Sequence, residues 1–503
     1  MNSSYAAEKK LRWKITNPTW TEDFELQYQN FIHTMGVARK NNACHTTDQC
    51  LRSNLANPLY AAKNPAGLQS IFSDCADLPY VLRAYFAWMN DLPFTFPTDL
   101  VEAKSFTRNK SDIRYSRYGN IITQKRIIRS GDNINSVLED VVNSTSTASF
   151  RTNVTKYDSG NLFRDTYPTN INRNAITPGT IVYDPNGHVA VVYEITKTGQ
   201  IHLIDAHPDN SLTTITYGEK FARTGVKTAG GFSNFRPFSY ENGNVTPKRN
   251  SELPNFSLIQ YQKDPYIYKG EIVSFYEYVR LVMADGDIIF NPVSELKDYM
   301  NELCLDIKYR EDAVNIALKN KIDQQSHPYL LPANIYGSDG DWEAYATPAR
   351  DARFKASLRE VKKYLTKVFE GQIDRSIKIN YQGDDLKTQL REVYLTITRS
   401  CSIHPTTNLT MNLDDVLQNI LALSFDPYHC ASLRWGIIGD QNCQSSTNKN
   451  KWYYAEQGLR NRVDRDYSIK TDFSVDDLPN APASQVEKPD LSLDQLLEIP
   501  REN

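Results

Sequence analysis

The sequence predicts an α+β chain: a mixed domain built on an antiparallel sheet, followed by a mainly α-helical domain. Three observations carry this. An apolar run at helical spacing follows Cys75. A β-rich hairpin pattern runs from Thr177 to Asp209. From about residue 265 to 425, helical apolar spacing dominates. At 503 residues the chain is too long for one ordinary core, so two or three domains are expected. The expected divisions are an irregular and partly helical segment over 1–60, the mixed domain over 61–240 with an insertion at about 97–175, and a linker over 241–260. A helical domain over 261–465 and an acidic tail over 466–503 complete the chain.

The first element is a helix behind Cys75, in "SDCADLPYVLRAYFAW". Leu78, Val81, Leu82, Tyr85, Phe86 and Met89 form one apolar stripe. Asp74 stands where a cap belongs and Asp77 stands three residues later, as in a capping box with an acid in both places. Cys75 then falls in the first turn, where unpaired N–H groups and the positive dipole end favour a thiolate. Pro79 opposes a clean start, because it offers no N–H to the Cys75 carbonyl. The two acids oppose the thiolate. A buried structural thiol is the competing reading.

The second element is a hairpin. "TIVYD" is a short strand, "PNG" a turn, "HVAVVYEI" a strand opening on His188, and "QIHLIDA" its returning partner ending near Asp205. The start of one antiparallel strand neighbours the end of the next, so the His188 imidazole and the Asp205 carboxylate can meet. Asp205 then orients the ring, and the second ring nitrogen faces a nucleophile from elsewhere. His207, Asp209 and Asn210 are rival orienting groups. A turn-flanking His188 and an Asx turn at Asp205 are the bland alternatives.

From 265 onward, "EIVSFYEYVRLVM", "EDAVNIALKNKI", "SLREVKKYLTKVF" and "LKTQLREVYLTI" all show helical spacing. Thr347-Pro348 is a helix start, with Thr as cap.

Composition narrows the function classes. The net charge of −3 carries no nucleic-acid signature, and no run of 18 apolar residues spans a membrane. Seven cysteines fall into three pairs and one remainder: Cys44 with Cys50, Cys430 with Cys443, Cys304 with Cys401, and Cys75. That is the arithmetic of a secreted or periplasmic protein with one free thiol. Seven reduced cysteines in a cytoplasmic protein are the alternative. The amino terminus has no signal-peptide apolar region, so secretion implies a leader already removed.

Other segments carry weaker signals. Residues 104–129 hold eight Lys or Arg and one Asp among aromatics, suited to an anionic polymer or to a solvated face. "GSDGDWEAY" (337–345) places acids at alternate positions but lacks EF-hand spacing. In "AGGFSNFRPF" (229–238), Arg236 and the aromatics line a groove or close the core, and the core is preferred. "PYHCASLRWG" (427–436) lacks a second Cys-x-x-Cys, so a disulfide is preferred to zinc. No cofactor or metal is predicted, and the oligomeric state is not readable.

Together, "DCADLPYVLRAYFAW", "PGTIVYDPNGHVAVVYEI" and "QIHLIDA" resemble the NlpC-type cell-wall cysteine peptidases of the papain-like superfamily. Asp74-Cys75 matches the nucleophile pair, Gly187-His188-Val189 the base strand, and Asp205 the third position. The chain departs from the pattern in four ways. Ala76 replaces the usual Ser, and Thr180 the usual Asp. The step of 113 residues from Cys75 to His188 is long, and an acid stands where His is common. That acid also resembles the transglutaminase-like branch, which implies acyl transfer. The resemblance implies a papain-like fold, a Cys-His-Asp hydrolase and an amide bond in peptidoglycan stem peptides or another peptide substrate. A papain-like binding or scaffold protein that has lost activity is the alternative.

Overall fold

Every side chain of the Asp77–Met89 helix is buried in the computed structural model. The predicted stripe is therefore only part of its buried surface, and the helix runs through the core instead of lying on it. Its one strong cation, Arg83, is paired twice with Glu25 and stacked on the Trp20 ring. The structure describes residues 11–60, 67–104, 112–208, 210–286, 288–336, 340–370, 377–383, 385–406, 408–439, 447–467 and 469–500.

Helix and sheet are both present, as an α+β chain requires. The chain divides into two units, Met1–Tyr217 with Phe221–Gly286, and Gly218–Lys220 with Asp287–Asn503. The division falls later than the composition suggests. Residues 241–260, expected as a linker, belong to the first unit, where Asn244–Pro247 pairs with Phe238–Glu241.

The first unit contains eight strands that matter here. β1 (Thr95–Glu102) and β2 (Asn120–Ile127) pair antiparallel within the predicted insertion. The others are β3 (Thr166–Pro168), β4 (Ile181–Asp184), β5 (His188–Ile195), β6 (Ile201–Ala206), β7 (Leu212–Thr216) and β8 (Gly231–Phe235). They form one antiparallel sheet in the order β3-β8-β4-β5-β6-β7. β5 carries Val189, Val191, Val192 and Tyr193 into the core, a β-branched run buried on both faces. Asp184 and His188 face each other across the β4–β5 turn, and Gly187 takes φ +84° there. That backbone favours glycine and lets the chain return with His188 as the first strand residue.

The Glu22–Lys40 helix packs on β5 through Gly36. A Cβ on Gly36 would stand 2.1 Å from Tyr193 Cγ. Gly36→Ala should therefore destabilise the unit by about 1–3 kcal/mol through overpacking, although alanine is the better helix former. A lower denaturant midpoint checks this; an unchanged or raised midpoint would remove the close-packing account.

In the second unit the long helices Pro292–Lys319, Pro348–Glu370 and Leu386–Ser400 enclose Leu296, Met300, Leu303, Ile307, Val361 and Leu390. Pro348 opens its helix as expected. Thr347 donates to Asp351 at 3.1 Å, and Asp351 also takes the buried Arg310 guanidinium at 2.7 Å. The carboxy-terminal segment is not a loose tail. Leu478, Leu491, Leu493 and Leu497 are buried in this unit's core, because widely spaced leucines outweigh the acidic average.

Cys44–Cys50 and Cys304–Cys401 are disulfides, and Cys430 is disulfide-bonded as well. Cys443 lies outside the described residues. Among the described residues no helix is long and apolar enough to cross a membrane.

Candidate active site

Cys75 is the free cysteine among the described residues, and it is half-buried. It sits in the turn that leads into the Asp77–Met89 helix. Asp74 caps that turn: its Oδ1 accepts from the N–H of Ala76 at 2.8 Å and of Asp77 at 3.0 Å. Asp77 Oδ2 accepts in return from the Asp74 N–H at 3.4 Å, so the expected reciprocal box of two acids is present. The first helical bond runs from the Leu78 N–H to the Asp74 carbonyl, 3.1 Å. Pro79 falls within the opening turn, where its missing N–H breaks little. Regular helix begins at Asp77, two residues after the cysteine.

The hairpin delivers the other predicted groups. His188 Nε2 lies 2.7 Å from Asp205 Oδ2, with both side chains buried. A carboxylate can only accept, so Nε2 carries the hydrogen and Nδ1 presents the lone pair. Asp205 is held from its far side too. Thr213, opposite it on β7, donates its hydroxyl to Asp205 Oδ1. His207 Nε2 in turn donates to Thr213 Oγ1 at 3.0 Å and lies 3.5 Å from Asp205 Oδ2. Burial works against the Asp205 charge, but His207 and His188 more than offset it and hold the carboxyl below its usual range.

The thiol reaches the same place. The Val189 backbone N–H, one residue beyond His188, and the charge of Asp205 both bear on the Cys75 thiol. The cysteine turn thus lies near the start of β5, within the influence of the Val189 backbone and the Asp205 carboxylate. The thiol's own tendency is towards protonation. Burial first, then Asp74, push it well above the ordinary cysteine value, and the Val189 N–H pulls it only partly back. Burial and Asp74 also push Asp77 up to about 8, with Thr145 donating to it at 2.8 Å. Asp77 and Asp205 add to the push that Asp74 exerts on the thiol. A thiol of this kind needs a base at the moment it reacts, and an imidazole locked in the right tautomer is suited to that.

The rival orienting groups fall out differently. His207 belongs to the network, one step behind Asp205. Asn210 closes the turn after β6 by donating its N–H to the His207 carbonyl at 2.8 Å. Asp209 lies outside the described residues. Two contributors were not read from the sequence: Thr213, which alternation on the next strand would have pointed to, and the Val189 backbone N–H, which leaves no sequence signal. Elsewhere, Arg236 is buried and spent on the Arg164 and Lys248 carbonyls and Asn250, in keeping with a core role for its segment. In the basic segment 104–129, residues 105–111 lie outside the described residues, and much of the remainder is β2. Residues 337–339 of the acidic loop also lie outside them, and Gly340–Tyr345 is a short helix. Comparisons with protein families, with curated proteins and with solved structures find no match to this chain.

Proposed function

We propose that the first unit is a papain-like thiol hydrolase that cleaves an amide bond, in peptidoglycan stem peptides or a related peptide. The observation that carries this is the hydrogen-bonded His188–Asp205 pair, with a free cysteine whose thiol feels both Asp205 and the backbone of the residue after His188. In the proposed reaction, His188 Nδ1 takes the thiol proton as Cys75 Sγ attacks the carbonyl carbon. The same proton then passes to the departing amine, leaving a thioester. Water, giving its proton to Nδ1, adds to the thioester, and the acid and free thiol are released. Ala76 and Asp77 spend their N–H groups on Asp74, so the Cys75 N–H is the local donor assigned to the developing oxyanion. The disulfides fit an oxidising compartment, so a secreted or periplasmic setting is part of the proposal. The test is release of amines from purified peptidoglycan and from model peptides, before and after carboxamidomethylation of Cys75. Release that survives complete alkylation rejects the assignment.

The raised thiol favours a second reading, a binding protein on the same fold that has lost catalysis. The pH dependence of alkylation separates the two. In the hydrolase, Cys75 reacts with iodoacetamide near neutral pH, and His188→Ala slows that reaction by roughly 10-fold or more, the smallest effect expected when a coupled base is lost. In the binding protein, His188→Ala changes nothing, and Cys75 reacts only above the ordinary cysteine range.

A further inference from the structure

The second unit buries a group of side chains that the proposed reaction does not use. His327, Asp426 and Glu456 each offer one ligand atom, and these atoms lie within 4.8 Å of one another. None of the three side chains has any exposed surface. They come from three separate segments: the loop after the Pro292–Lys319 helix, the turn at 424–429, and the end of the Thr447–Ala455 helix.

His327 is set up as a ligand. Its Nδ1 lies 2.7 Å from the Pro328 carbonyl oxygen, which only accepts, so Nδ1 carries a hydrogen; in the neutral ring Nε2 then presents its lone pair, and in the charged ring it donates to Asp426. That nitrogen points at Asp426 Oδ2, 2.8 Å away. Two acceptors held this close need a positive charge between them or on the ring. The surroundings fix both groups. Trp452 stacks on the His327 ring at 4.1 Å, and the Tyr428 N–H holds Asp426 Oδ1 at 2.8 Å, leaving Oδ2 to face inward.

Glu456 supplies the independent observation. Both of its carboxyl oxygens are buried and accept from no donor, and the carboxyl lies within hydrogen-bond reach of Asp426. Arg460 is near but does not satisfy it, standing 3.8 Å from Oε2. Its N–H groups go instead to the Tyr453 carbonyl, Gln457 Oε1 and the Leu421 carbonyl. His429 is not a ligand. Its Nε2 donates to the Lys449 carbonyl and its Nδ1 accepts from Ser424, so both ring nitrogens are already engaged.

We propose that His327 Nε2, Asp426 Oδ2 and the Glu456 carboxylate hold one divalent first-row transition ion, in a centre separate from Cys75. One imidazole and two carboxylates suit Zn²⁺ or Mn²⁺, and two carboxylates neutralise a dication in a low-dielectric interior. The ion would tie together segments 99 residues apart in the sequence. The rival occupant is a water molecule reaching Glu456 from Arg434, whose Nε and Nη1 have no acceptor and whose charge bears on Glu456.

The test is elemental analysis of the full chain after gel filtration, then calorimetric titration of the chelator-treated protein with Zn²⁺ and with Mn²⁺. The expected result is about one equivalent per chain, with proton release on binding. Glu456→Gln and His327→Ala should each weaken binding by at least roughly 100-fold, and Cys75→Ala should retain the full count. X-ray absorption should give nitrogen and oxygen neighbours without sulfur. Absence of metal together with no saturable uptake by folded wild-type protein overturns the proposal and favours the water. So does a sulfur neighbour, or a Glu456→Gln protein that binds as wild type does. The wild-type measurements decide even if the variants fail to fold.

Discussion

Cys75→Ala is expected to lower amide turnover by a factor on the order of 10⁶, equal to about 8 kcal/mol of transition-state stabilisation. No other described cysteine can replace it, since Cys44, Cys50, Cys304, Cys401 and Cys430 are disulfide-bonded. The fold should change little, because the substitution removes one small sulfur whose hydrogen-bonding demand is small. The measurement is initial rate against peptidoglycan or peptide, paired with a thermal melt of the same preparation. Undiminished turnover in a folded variant would remove the nucleophile, and the proposed chemistry with it.

Asp205→Asn is expected to lower kcat by roughly 10⁴, through the tautomer of His188 and not through lost packing. An amide at this position can present its NH₂ to His188 Nε2. That nitrogen would then become the acceptor and Nδ1 the protonated one. The thiol would face a ring nitrogen with no lone pair. The amide oxygen can still accept from Thr213, so the network loses one polar contact, not all of them. The readouts are kcat and the alkylation rate of Cys75, both of which should fall in the folded variant. A carboxylate that only supported the fold would move the melting temperature and leave the alkylation rate alone.

The same carboxylate sets a stability trend with the opposite sign to Asp77. Asp205 is held below its usual range, so the folded state binds its proton less readily than the unfolded chain. Its contribution is present above about pH 4 and is lost on further acidification. Asp77 is raised to about 8, so its effect on stability declines as pH climbs from about 4 towards 8. Urea midpoints across this range should show the decline flatten in Asp77→Asn and the acid loss shrink in Asp205→Asn.

Short-range pattern was enough for the local elements. The apolar spacing behind Cys75, the Pro-Asn-Gly turn before His188 and the Thr347-Pro348 start each depend on neighbours within one or two turns, and each forms as read. So does the meeting of His188 with Asp205, because an antiparallel hairpin brings the start of β5 beside the end of β6, where the two meet diagonally. Domain limits were harder to see. Residues 241–260 look like a linker by composition, yet they pair with the sheet domain. The acidic carboxy-terminal segment buries four leucines that an averaged composition conceals.

Tertiary structure alone decided the rest. Whether a helix start lies against a strand start 113 residues later depends on how the intervening chain closes, and no local rule fixes that. The upward push on the Cys75 thiol likewise comes from burial, a property of the assembled core. His327, Asp426 and Glu456 share no spacing that marks them as partners, and only packing brings their ligand atoms together. Hydrogen bonding and periodicity act between near neighbours and can be read from residue order. Desolvation and long-range convergence belong to the folded chain as a whole.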